Sequence, residues 1–357
     1  MDLLLFREPG QPDPRAALPR AGFRRVLVLD LPPHAHHWAA RLVRNLRRML
    51  RGRPPLNDRF DGFAGTIARW VQGHHYELAL IEHFWCARYA ETLRAVARRL
   101  VLDMHNVESE LYRRLAESER PPLRPVFRRF QRCLLRLEQR WLPAFDLVLA
   151  ASPEDAARVR VLAPSVGVQV YPNAIPVSPM PTLPEQEMVA FSGNLEYQPN
   201  LGAVRFFRRK IWPVLRKKRP RLVWRVIGKN PHAVAGELRG DPRIELVGPV
   251  EDAILALAPA RVVVVPLLAA SGTRFKILEA WAAGRAVVST TLGAEGLGAR
   301  DGEHLVLADD PETFAQAVLD LLDSAERRTA LGRAGRDLYL RCFSWPAAWR
   351  YLTEAGF

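Results

Sequence analysis

Arg274, Lys276 and Glu279 have the types and spacing to hold a phosphorylated sugar. They follow the turn Ser271-Gly272-Thr273, which in turn follows the apolar run Val262–Leu267, VVVVPL. A β-branched run of this kind reads as a strand buried on both faces. Ser271 and Thr273 are good N-cap residues on either side of a flexible glycine. A helix is expected next, with Phe275, Ile277, Leu278 and Trp281 packing and Gly284 as its C′ stop. Ala286–Thr290 then returns as a second buried strand. Arg274 and Lys276 fall in the first helical turn of this unit, and Glu279 lies one turn beyond Lys276, near the same face. A helix N-terminus with free N–H groups and two cations suits a phosphate. A carboxylate one turn further accepts hydrogen bonds from sugar hydroxyls. The combined chemistry is that of a nucleotide sugar.

The elements that must position these residues belong to an ordinary globular chain. Its 357 residues give a prior of two domains, each with its own core. Apolar residues make up 48% and charged residues 25%, which excludes a disordered chain. No apolar run approaches the roughly 20 residues that span a bilayer. The N-terminus, MDLLLFREPG, has neither a basic n-region nor an h-region, so no signal peptide is expected. Cys86, Cys133 and Cys342 are far apart, odd in number and without metal spacing, which fits a reduced, cytoplasmic protein. The net charge of +14 comes mostly from arginine, which a GC-rich genome inflates without function. The functional readings are an anionic membrane surface, a nucleotide substrate or nucleic acid. Nucleic acid is not expected, because no stacking aromatics accompany the arginines.

Strands are expected at Met1–Phe6, Arg25–Leu31, Leu78–Glu82, Leu100–Met104, Leu147–Ala150 and Gln169–Tyr171, with helices over Trp38–Arg51, Arg88–Arg99 and Pro122–Trp141. Trp38, Leu42, Leu46 and Leu50 form one stripe of the first helix, and arginines fill much of the rest. That is a basic amphipathic helix, able to lie on anionic lipid at the inner face of the plasma membrane or to pack as an ordinary helix. His105 closes a polar cluster, Asp103-Met104-His105-Asn106, at a strand end, where open α/β sheets place ligand groups. The proline-rich stretch 173–187 reads as a linker. The pattern then restarts: Met188–Ser192 with Gly193-Asn194 after it, a helix from Asn200 to Lys218, Leu222–Ile227 with Gly228 after it, and Ile244–Val247. Alternating strands and helices imply doubly wound parallel sheets. Four strand ends carrying glycine or another small residue imply a nucleotide crevice.

The second half resembles the retaining family-4 glycosyltransferases of the GT-B fold, close to the bacterial branch of surface-polysaccharide assembly. The carrying stretches are FSGNLEYQPN (Phe191–Asn200), IWP (Ile211–Pro213), VIGKNP (Val226–Pro231), GTRFKILEAWAAGRAVVST (Gly272–Thr290) and GAEGL (Gly293–Leu297). FSW (Phe343–Trp345), DMHNVES (Asp103–Ser109) and DLVLAASPEDA (Asp146–Ala156) also match. The resemblance implies two Rossmann-like domains across a cleft: an acceptor-side domain 1–172, the linker 173–187, a donor domain 188–341 and a crossing helix 342–357. It implies transfer of a hexose from a nucleotide-sugar donor to a lipid-linked or saccharide acceptor, with retained configuration and no metal or other cofactor. Carried over by position, Glu279 holds the donor ribose. Arg274, Lys276 and the Gly272–Thr273 backbone hold the pyrophosphate, with Gly193, Asn194, Gly228 and Ser271 lining the donor site. His105 sits near sugar and acceptor, so His105, Arg274 and Lys276 are the expected catalytic groups.

The chain departs from the family at three places. Ser271 stands where many members carry an acid that touches the transferred sugar. Leu195–Asn200 replaces a basic pair after the first strand of the donor domain. MDLLLF aligns with the family's second strand, so the first β-α unit is expected to be missing. The first and third departures also admit a non-catalytic GT-B scaffold in a polysaccharide-assembly complex.

Overall fold

The structure, a computed structural model, describes residues 1–19, 21–33, 38–354 and 356, and within the helix Trp38–Arg51 it excludes the side chains of Trp38, Arg41 and Leu42. Among the described residues all strand pairing is parallel and falls into three sheets. In chain order the strands are β1 Asp2–Arg7, β2 Arg25–Asp30, β3 Tyr76–Glu82, β4 Ala97–Met104, β5 Leu147–Ala150, β6 Gly167–Val170, β7 Gln186–Ser192, β8 Val223–Ile227, β9 Ile244–Val247, β10 Ala260–Val265, β11 Ala286–Ser289 and β12 Val306–Leu307.

The second domain is a six-stranded sheet in the order β12-β11-β10-β7-β8-β9. From β7 the chain winds outward through β8 and β9, then returns to β10 and winds the other way. The reversal opens a crevice at the carboxyl ends of β7 and β10, where doubly wound sheets bind ligands. Helices cover both faces, so β10 is a continuous apolar run: Val262, Val263, Val264 and Val265 are all fully buried. Trp212, Trp224 and Trp281 fill the layers beside the sheet, and Trp281 Nε1 donates to the His304 carbonyl at 3.1 Å.

The first domain has a four-stranded sheet, β3-β4-β5-β6, and a separate pair, β1-β2. β1 and β2 stand as their own sheet. Tyr76 Oη donates to Asp2 Oδ2 at 2.7 Å, and Phe6 packs edge-on against Phe60, tying this pair to the larger sheet. Leu78 and Leu80 of β3 are 38% and 48% exposed. The helix Trp345–Glu354 returns from the second domain and lays Leu352 on Val101, Leu147 and Leu149. Ile175, just past the first domain, pairs with Ser344 at the start of this crossing.

Three local expectations change. The helix expected over Arg88–Arg99 is a 3₁₀ turn, Phe84–Tyr89, then one short helix, Ala90–Arg94. β4 takes over at Ala97, because Ala97 pairs with Tyr76 and β-pairing overrides helix propensity. A helix not expected from the pattern, Glu108–Ser118, follows His105-Asn106 directly. In Trp38–Arg51 the stripe side chains Leu46 and Leu50 are 49% and 67% exposed, with Val43 beside them at 66%, rather than packed inward. Trp38 and Leu42 of that stripe lie outside the described side chains.

Candidate functional site

The crevice between β7 and β10 gathers side chains from four segments. β7 ends in Ser192, whose hydroxyl donates to Glu279 Oε2 at 3.1 Å. Gly193 follows, and Gly228, after β8, presses against it: a Cβ on Gly228 would collide with the Gly193 carbonyl. The two strand ends therefore meet backbone to backbone. Asn194 is fixed at three points: its carbonyl accepts from Asn200 Nδ2 at 2.8 Å, and its Oδ1 accepts from Glu196 N at 3.2 Å and Asn230 Nδ2 at 3.1 Å.

The helix carrying Glu279 runs from Phe275 to Ala282 and ends as expected at Gly284, φ +70° at C′, but it lacks the N-caps expected for it. Arg274 is its N-cap residue without a side-chain cap. Ser271 Oγ instead donates to the Val107 carbonyl at 3.4 Å, and Thr273 Oγ1 accepts from Asn173 Nδ2 at 3.2 Å. Both hydroxyls bind the first domain or its exit, because the turn is drawn across the cleft rather than folded onto its own helix.

Lys276 and Glu279 stand together in the crevice. Lys276 Nζ donates to Asn200 Oδ1 at 3.1 Å and lies 5.5 Å from the Phe191 ring centre. Burial pulls its pKa down to about 8, against the attraction of Glu279. Burial pushes Glu279 up, opposed by the Ser192 hydrogen bond and by Lys276. Arg274 goes elsewhere. It is 4% exposed; Nη1 donates to the Gly272 carbonyl, Nη2 donates to Leu292 O at 3.1 Å, and Glu295 Oε2 lies 3.6 Å away. Burial lowers its pKa to about 10. Arg274 therefore braces the turn from behind, and Lys276 is the cation beside Glu279.

The first domain faces this loop with the ends of β3 and β4. His105 follows β4, and its Nε2 lies 3.9 Å from Asp103 Oδ2. Burial lifts the Asp103 carboxyl to about 6. The His105 ring lies over His83 at 4.2 Å, and His83 stacks on Trp85 at 4.0 Å. His83 has left-handed backbone, φ 66°, and burial lowers its pKa to about 4. Among the described residues Glu82, His83 and His105 bring potential ligand atoms within 4.8 Å of one another. The His83 and His105 rings are tilted by 34° to each other.

The domains touch at Gly272. Its φ is +73°, and a Cβ there would collide with the His105 carbonyl and Asn106 Oδ1. Only glycine supplies both the left-handed turn and this approach. Ser192, Asn200, Asn173, His83 and Glu295 complete the site but were not singled out from sequence. Ser192 and Asn200 sit inside the FSGNLEYQPN block and Glu295 inside GAEGL, so their segments carried a signal that their individual roles did not.

Over 99% of both chains the structure is similar to sucrose-phosphate synthase (tll1590) from Thermosynechococcus elongatus, TM-score 0.70 at 16% identity. It is equally similar to Anabaena Alr3699/HepE, solved in complex with UDP and glucose, TM-score 0.70 at 14% identity over 99% of both chains. The fold is GT-B. Residues 186–324 match the family model described as glycosyl transferases group 1. In sequence the chain is 23% identical over 258 residues to an uncharacterized 44.6 kDa protein in the cps region of Klebsiella pneumoniae. That match spans 69% of this chain and 65% of the Klebsiella protein.

The Gly272 contact makes a direct prediction. Gly272→Ala should lower stability by about 1–3 kcal/mol in urea unfolding, from the strained backbone and the lost approach together. An unchanged midpoint would mean that the domains do not meet through this turn in solution.

Proposed function

We propose that the protein is a retaining, metal-independent glycosyltransferase. It moves a hexose from a nucleotide-sugar donor to a lipid-linked or saccharide acceptor in cell-surface polysaccharide synthesis. The observation that carries this reading is the Ser192–Glu279 and Lys276–Asn200 pairing at the crevice of the second sheet, on the helix that follows the Gly272 turn seated against His105. Glu279 offers a carboxylate to ribose hydroxyls. Lys276 and the backbone of Gly272–Thr273 face the diphosphate and offset the charge that grows on it as the glycosidic bond breaks. Arg274 acts from behind by holding that backbone in place. His105 orients the transferred sugar or the attacking hydroxyl. Ser271, in place of an acid, leaves the sugar contact to neighbouring backbone groups. The cps-region relative and the UDP-bound neighbour support the polysaccharide setting and the nucleotide donor.

Equilibrium binding of UDP-, GDP- and ADP-sugars to the purified protein tests this. One class should bind saturably, and Glu279→Ala should weaken it by about 1.5–3 kcal/mol, the range for losing a charged hydrogen-bond partner. Binding that is absent for every nucleotide, or indifferent to Glu279→Ala, contradicts the reading. Binding without turnover on any acceptor favours a non-catalytic scaffold, the reading that Ser271 motivates.

Lys276 sets the pH dependence. With its pKa near 8 it is a cation below that pH and neutral above it. Donor affinity should hold below pH 8 and weaken by about tenfold per unit as pH rises past it. Lys276→Ala should flatten that fall; a wild-type profile with the same slope in the variant would exclude Lys276 as the phosphate's cation.

We also propose cytoplasmic protein held peripherally on an anionic membrane by the helix Trp38–Arg51. No helix among the described residues is long and apolar enough to cross a membrane. Val43, Leu46 and Leu50 form an exposed apolar row, with Arg47 and Arg51 exposed beside them. Arg48 is buried against Asp58 at 2.7 Å and takes no part. Each basic residue at such a surface contributes about 1 kcal/mol. Arg47→Gln with Arg51→Gln should therefore weaken co-sedimentation with anionic vesicles by roughly 30-fold. Equal binding to neutral vesicles, or no effect of the double change, would rule this helix out.

A further inference from the structure

Glu295, in the middle of GAEGL, has no place in the donor chemistry above, yet three arginines converge on it. Arg114 grips it with both guanidinium nitrogens, Nη1 to Oε2 at 2.6 Å and Nη2 to Oε1 at 2.9 Å. Arg158 Nη2 donates to Oε1 at 2.9 Å. Arg274 Nη2 lies 3.6 Å from Oε2. Arg114 and Arg158 belong to the first domain, on the helices Glu108–Ser118 and Pro153–Leu162; Glu295 and Arg274 belong to the second. Glu110 Oε1 accepts from Arg114 Nε at 2.7 Å, and Asp155 Oδ1 accepts from Arg158 Nη1 at 2.9 Å, so each first-domain arginine is aimed before it crosses the cleft.

These bonds close a ring through the site. The helix Glu108–Ser118 starts just after His105-Asn106, which touch Gly272. The same helix carries Arg114, which reaches Glu295 and also the Ala270 carbonyl at 2.8 Å, immediately before Ser271. Arg274 joins Glu295 back to Gly272. A carboxylate shared by two well-aimed guanidinium groups in a half-buried setting has directional, charge-assisted bonds. Removing it would leave Arg114 and Arg274 buried without their shared counter-ion.

We propose that Glu295 is a positioning residue: it latches the two domains together through Arg114 and Arg158 and steadies Arg274 behind the phosphate-facing turn. Its effect on turnover rests on the glycosyltransferase reading; its effect on domain alignment does not. Glu295 acts through other residues and touches no substrate group.

The test measures both. Spin labels at Val161→Cys in the first domain and Leu255→Cys in the second, with Cys133 and Cys342 changed to serine, report the interdomain distance. Both label sites are exposed. The parent should show one narrow distribution. Glu295→Ala should broaden and lengthen it to match Arg114→Ala/Arg158→Ala, and adding Glu295→Ala to that pair should change nothing further. With donor and acceptor supplied, kcat should fall about 10- to 100-fold while Kd for UDP moves less than threefold, the split expected when alignment and not binding is lost. Glu295→Gln, which keeps the shape, serves if Glu295→Ala does not fold. A folded variant whose distances superimpose on the parent overturns the proposal. So does loss of UDP affinity in step with kcat, which would make Glu295 part of the nucleotide site. If UDP, GDP and ADP all fail to bind the parent, the donor reading falls and the distance result still decides the latch; if GDP or ADP binds instead, its Kd replaces that of UDP.

Discussion

The contact on which the rest depends is the seating of Gly272 on His105 and Asn106. It lets a loop of the second domain come within backbone reach of a strand end of the first. The side chains around it have given up local roles to serve it. Ser271 and Thr273 hydrogen-bond to the first domain and its exit instead of capping their own helix. Arg274 turns away from solvent and holds the carbonyl of Gly272. A bulkier residue at this turn would push the domains apart and undo these arrangements together.

Charge is handled differently on the two sides of that contact. Behind the turn, arginines and carboxylates are matched and bonded, which fits a framework: Arg114, Arg158 and Arg274 around Glu295, with Glu110 and Asp155 outside them. In front of it, Lys276 and Glu279 are paired only loosely, through Ser192 and Asn200, and burial pushes both towards neutrality. Groups held in that state gain most from a ligand that brings opposite charge and hydroxyls. The half-buried His83–His105 pair beside Asp103 gives the first domain a polar surface of its own at this contact. The structure thus separates residues that hold the cleft from residues that remain for a substrate.

Much of the fold was legible because parallel sheets write themselves as long apolar runs. The runs of β7 to β11 stand out in sequence, and glycine or serine marks several of their ends. Arg274, Lys276 and Glu279 were legible because they are neighbours in the chain. Their directions were not. The helix pattern put Arg274 and Lys276 both in the first turn, at the phosphate, whereas the turn before them sends one guanidinium to Leu292 and Glu295 and the ammonium to Asn200. The helix expected over Arg88–Arg99 failed because strand pairing with Tyr76 begins at Ala97, a partner remote in sequence. The three-arginine cluster was invisible for the same reason: Arg114 and Arg158 lie in helices whose local pattern is that of any solvated surface, and only the closed cleft brings them to Glu295.

The most direct measurement of the central claim is a structure of the protein grown with the nucleotide sugar that binds it best. The account predicts ribose hydroxyls on Glu279, the diphosphate against Lys276 and the Gly272–Thr273 backbone, and the sugar facing His105. A nucleotide lodged elsewhere, or one in the crevice with its diphosphate turned away from Lys276, would contradict it.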